Sequence, residues 1–225
     1  MNIITLDHSD YIGVRLSKDD SRVSFGGSQN WALNYPNRRY FNGSVSSKEL
    51  KQCGCGLVAL TDVILYLLGK YTVTFSQYVN YLQEVSNYTT FLKFPVRTLT
   101  PNAMKVFFKG YNCKWICFNT PKRFLKLAKS MLLQDIPVIF SFYTMDKKQY
   151  LPLYSDIKLS HSTHRVTAHY MVITSIIECN GQTVLEVSSW GKKYYIDFKE
   201  YAKKLVFPNT LFCDLLYIEK ILEFK

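Results

Sequence analysis

The chain has 225 residues, and its 48% hydrophobic and 16% aromatic content excludes a disordered polymer. A formal charge of +11 attracts acidic partners, but no run reaches five or six like charges, so no specific nucleic-acid role is expected. The six cysteines lack the spacing of a small disulfide scaffold, no signal peptide opens the chain, and the longest apolar run is too short to span a bilayer and carries Asp62. A cytoplasmic protein with reduced thiols and no membrane span is expected.

Residues 1–50 are rich in turn formers ("FGGSQNW", "NYPNRR", "FNGSVSSKE") and predict a surface wrap with a short strand near 11–16. A helix is expected from about residue 55 to 68: Leu57, Leu60, Ile64 and Leu68 fall at helical spacing, and Gly69 stops it. A second helix is predicted over 74–88 with Ser76 as a cap. A third is predicted over 100–111, with Thr100 as cap, Pro101 in its first turn and Gly110 at its end. Then come a strand at 113–118, a helix over 120–135 opened by Thr120 and Pro121, and a buried strand at 136–143. A polar loop over 155–168 carries His161 and His164. Two strand patterns, 169–178 and 183–190, flank Asn180-Gly181 and read as a hairpin. "GKKYYIDF" reads as a solvated strand edge blunted by lysines, followed by a short helix at 199–205 and a last strand at 212–219. The pattern is α+β: one domain over 1–225, with the wrap first, a mainly helical half over 51–135, a mainly β half over 136–225 and a cleft between the halves.

A thiol nucleophile needs partial ionisation, access to substrate and a base. Cys55 opens an apolar helix, where the dipole and the first N–H groups favour thiolate and can hold an oxyanion. Gly54 and Gly56 leave the chain room to turn. His169, at a strand start after a loop, is the candidate base. Cys53 reads as a small loop residue, or as a thiol that pairs with Cys55 on oxidation. Zinc at Cys53, Cys55, His161 and His164 lacks the usual second ligand pair, so neither a metal nor another cofactor is expected. Cys113 and Cys117 read as core thiols, and Asp197 is a spare group for orienting a histidine.

Three blocks, "CGLVALTDVILYLLG", "QDIPVIFSFY" and "AHYMVITSIIECNGQTVLEVSSWG", resemble the nucleophile helix and histidine strands of the papain-like cysteine peptidases. The likeness is nearest the branch related to bacteriocin double-glycine-leader peptidases and covers roughly residues 50–195. It implies a papain-like fold and hydrolysis of a peptide or amide substrate, with Cys55 and His169 as the pair. "SSWG" resembles the family's "NSWG", which implies that Trp190 shields the site. The Asn that orients the histidine is replaced by Ser188, by that match, or by Ser189, by alternation with Leu185 and Val187. The family's oxyanion-hole Gln falls at Glu49, so Gln29 in "FGGSQNW" is the candidate donor. The alternative is a catalytically degenerate papain-like fold serving as a binding or structural module.

Overall fold

The computed structural model describes residues 1–16, 23–89, 107, 110–116, 120–144, 146, 148–205, 210–212 and 214–221. Most of the helix expected over 100–111 lies outside them, as do Cys117 and Cys213. The protein is α+β, and it divides into two compact units. A helical unit comprises Asp10–Cys113, Ser189–Lys192 and Glu219–Lys225. A sheet unit comprises Met1–Ser9, Lys114–Ser188 and Lys193–Ile218.

In the helical unit, a 3-10 turn at Gln29–Asn34 precedes α1 (Ser47–Cys53), α2 (Cys55–Leu67) and α3 (Phe75–Asn87). Two small sheets accompany them. β2 (Gly13–Arg15) runs parallel to β5 (Thr72–Thr74), and β3 (Arg39–Tyr40) pairs with β4 (Val45–Ser46). The expected single helix is preceded by α1, which has a capping box: the Ser46 hydroxyl accepts from Glu49 N–H, and the Glu49 carboxylate accepts from Ser46 N–H. α1 and α2 meet at Gly54 with an 86° bend. Space dictates that glycine, because a Cβ there would lie 2.5 Å from the Leu50 carbonyl. α2 buries every residue from Gly56 to Tyr66. Thr74, not Ser76, caps α3, in a second capping box with Gln77. Ser76 falls inside the first turn.

Residues 1–50 do more than wrap. Tyr11, Ile12, Val14, Ala32, Tyr40 and Val45 are fully buried, Tyr11 stacking on Tyr66. β1 (Asn2–Thr5) belongs to the sheet unit, where Ile3 sits opposite Ile177. The turn formers of this segment supply its bends, and the aromatic and β-branched residues between them supply core.

The sheet unit is built on a ten-stranded sheet. Its strands are β1, β6 (Tyr111–Ile116), β7 (Val138–Thr144), β8 (Leu151–Tyr154), β9 (Ser162–Val166), β10 (Ala168–Cys179), β11 (Gln182–Ser189), β12 (Lys192–Asp197), β13 (Thr210–Phe212) and β14 (Leu215–Lys220). The main path is β6-β14-β7-β10-β11-β12-β8-β9, with β1 beside β10 and β13 beside β7. Two helices complete the unit, α4 (Pro121–Leu132), capped by Thr120 as expected, and α5 (Phe198–Leu205). Phe124 of α4 meets Phe140, Phe198 and Tyr201, which forms an aromatic core.

The hairpin at Asn180-Gly181 forms as predicted, with positive φ at both residues (50° and 76°). "GKKYYIDF" is not an edge. β12 lies between β11 and β8, and Lys193 pairs with Glu186 at 3.2 Å. The polar loop contains β9, which pairs with β8 from Leu151↔Val166 to Tyr154↔Ser162. Strand formation there rests on cross-strand pairing more than on a local apolar pattern, so the sequence concealed it.

Candidate functional site

Cys55 is the first residue of α2, half-buried, at an N-terminus that no side chain caps. Gly54 supplies the carbonyl that accepts the first α2 hydrogen bond, from Val58 N–H at 2.9 Å. The N–H groups of the first turn therefore lie ahead of the intrahelical ladder, at the positive end of the helix dipole. Cys53 ends α1, and its thiol donates to the Glu49 carbonyl at 2.9 Å. Burial, then Cys55 and Glu49, push the Cys53 thiol up to about 11. Cys53 therefore stays protonated at neutral pH and is a poor nucleophile.

Gln29 approaches the same end of α1: its amide donates to the Lys51 carbonyl at 2.6 Å. An amide NH₂ has two donors, so this bond engages only one of them. The loop that carries Gln29 is pinned from below. Asp62, buried inside α2, accepts the Gly27 N–H on both carboxylate oxygens (3.1 and 2.9 Å) and the Tyr78 hydroxyl at 2.7 Å. A Cβ on Gly27 would lie 1.8 Å from the Tyr78 hydroxyl oxygen, so only glycine fits. Burial raises the Asp62 carboxyl to about 7, and the Gly27 and Tyr78 hydrogen bonds hold it below where burial alone would put it. The signal for this anchor in the sequence is an acidic residue in an otherwise apolar run. Glu49 is occupied with its capping box.

Trp190 and Gly191, also in the helical unit, are the two central residues of the turn between β11 and β12, with φ of 49° and 75°. The Gly191 carbonyl accepts Phe25 N–H at 3.0 Å, and Trp31 packs within 3.2 Å of where a Gly191 Cβ would sit. "SSWG" is thus first a hairpin turn. Trp190 is half-buried there, and its conformation is set by the turn.

In the sheet unit, His169 is the second residue of β10 and is 7% exposed. It pairs with Phe142, and Met171 pairs with Phe140, so His169 shares a sheet face with Met171, Phe140 and Phe142. Phe140 on that face meets Phe124 and Tyr201. Burial pushes the His169 imidazole down to about 3, so it is neutral at physiological pH. Ser188 sits opposite Val172, which puts it on the other face of the sheet from His169. Ile173 pairs with Val187, so along β11 it is Ser189, two residues beyond Val187, that keeps the His169 parity. Asp197 accepts the Lys199 N–H at 2.8 Å at the start of α5, which accounts for it as a cap. Asp214, not among the sequence candidates, is buried (3% exposed), and its N–H donates to the Ser141 hydroxyl at 3.2 Å. An acidic residue at the start of an apolar strand pattern was its signal.

Cys53, Cys55, Cys113 and Cys179 are reduced thiols. Among the described residues, no group of three or more His, Cys, Asp or Glu is arranged to hold a metal ion, and no single helix is long and apolar enough to cross a membrane. The chain matches no protein-family model, and no curated protein sequence matches it significantly.

Proposed function

We propose that the protein is a thiol-dependent hydrolase of amide or peptide bonds on a papain-like α+β fold, with Cys55 as nucleophile and His169 as base. Cys55 carries the reading. It opens a 13-residue buried helix, while its neighbour Cys53 is held protonated. In the proposed cycle the Cys55 sulfur attacks the substrate carbonyl as its proton passes to His169. The C–N bond then breaks, the amine leaves with that proton, and water hydrolyses the thioester. The Cys55 N–H and the second Gln29 N–H are the proposed oxyanion donors, and Ser189 the orienting hydroxyl. The +11 charge favours acidic peptides as substrates, and a reducing cytoplasmic setting suits cysteines outside disulfides.

A peptidyl vinyl sulfone followed by peptide mapping tests this. The expected adduct is on Cys55 alone and is absent in Cys55→Ala. His169→Ala is expected to lower turnover of a fluorogenic peptide by about 10²–10⁴-fold. An adduct on Cys53, or turnover unchanged in His169→Ala, contradicts the reading.

A second reading is a degenerate papain-like module that binds without catalysis. The burial of His169 against Phe142, which weakens it as a base, favours this alternative.

A further inference from the structure

The sheet unit has a pocket of about 390 Å³ that the thiol reading does not use. It forms where β8, β9 and α5 meet. β8 alternates: Leu151 and Leu153 are buried, while Pro152 and Tyr154 line the pocket. Arg165 of β9, directly opposite Pro152, enters from the same sheet face. Lys203 and Lys204 come from the last turn of α5, and Lys148 from the turn before β8.

Four cations therefore face one carboxylate, Glu200, which accepts the Tyr154 hydroxyl at 3.3 Å. Arg165 is held over the Tyr150 ring at 4.5 Å, and Lys204 donates to the Gln149 side-chain oxygen at 2.7 Å. Both heads are thus positioned by neutral groups that leave their charge uncompensated. The ion pairs Lys129–Glu178 and Lys193–Glu186 lie outside the pocket. Like charges converging on one concavity repel unless an anion joins them.

We propose that this pocket binds a small molecule bearing a polyphosphate, with Arg165 gripping one phosphate in its planar fork and the three lysines neutralising the rest. The excess positive charge selects the ligand class. A monocarboxylate leaves most of it unbalanced, whereas a di- or triphosphate matches it. The volume lies in the range of small-molecule sites. Nucleic acid fits less well, because the cations gather in one pocket instead of tracking a strand.

Titration calorimetry of the full chain with sodium tripolyphosphate at low salt tests the proposal. One equivalent is expected to bind, more weakly as salt rises. Arg165→Ala and the Lys203→Gln/Lys204→Gln pair are each expected to weaken binding about tenfold or more. Lys122→Ala, exposed on α4, is expected to leave it unchanged. Thermal melts confirm that the variants fold, and the exposed Lys148→Gln and Lys203→Gln serve where Arg165→Ala does not. The proposal is overturned if tripolyphosphate binds no better than sulfate, or if folded pocket variants bind it as the parent does. It is also overturned if an oligonucleotide of matched charge outcompetes tripolyphosphate, since the surface is then a nucleic-acid interface.

Discussion

Each unit buries an ionisable side chain, and the two are accommodated in different ways. Asp62 in the helical unit has donors around its carboxylate, Gly27 N–H and the Tyr78 hydroxyl. His169 in the sheet unit has apolar cross-strand neighbours. Burial is the leading influence on both, and it drives both towards neutrality: the carboxyl up to about 7, the imidazole down to about 3. The difference lies in what the environment secures. The Asp62 hydrogen bonds fix a loop, two residues ahead of Gln29, so that carboxylate is architectural. The burial of His169 keeps the imidazole neutral, which preserves a proton acceptor and weakens it at the same time.

Core substitutions should show the contrast most strongly. Phe124→Ala, in the aromatic cluster of the sheet unit, is expected to cost about 3–5 kcal/mol in urea unfolding, with no pH dependence of its own. Asp62→Ala strands the Gly27 N–H and the Tyr78 hydroxyl and is expected to cost about 2–3 kcal/mol. Equal costs for Asp62→Ala and Asp62→Asn would show that the hydrogen bonds do not matter, because Asn keeps an acceptor.

Opposite pH slopes sharpen the comparison. Folded Asp62 keeps its proton above the ordinary 3.8, so its contribution to stability is full below that value. It falls as pH rises to about 7 and is flat beyond. Folded His169 takes its proton later than the unfolded chain, so its contribution is full above 6.5 and is lost as pH falls towards 3. Urea midpoints across this range should lose the first slope in Asp62→Asn and the second in His169→Gln. The two serines give the smallest effect. Ser188→Ala is expected to leave Cys55 reactivity unchanged, while Ser189→Ala slows it by a few-fold at most, the scale of one neutral hydrogen bond.

The sequence made the local signals readable. Thr120-Pro121, Asn180-Gly181 and the apolar period of α2 announced a cap, a hairpin and a buried helix, because each is set by neighbouring residues. β9 was hidden because its polar residues show no apolar period and it forms by pairing with β8, and the interior position of β12 was hidden because β8 comes from about 40 residues earlier in the chain. The same division runs through the site. The place of Cys55 at the start of a helix was legible from the Cys-Gly that opens an apolar run. The choice between Ser188 and Ser189 needed the β10–β11 register, and the role of Asp62 needed the fold of "FGG" against α2 and α3.

The central claim is that Cys55 is an activated nucleophile served by His169. It is tested most directly by the rate of iodoacetamide labelling across pH, resolved by peptide mapping, in the parent protein and in His169→Ala. The account predicts selective alkylation of Cys55 well below the ordinary thiol pKa of about 8.5, slowed in His169→Ala. Cys53 should label far more slowly than Cys55 at neutral pH, its rate rising as pH approaches about 11. Equal, slow labelling of all accessible thiols, with Cys55 indifferent to the loss of His169, would contradict it.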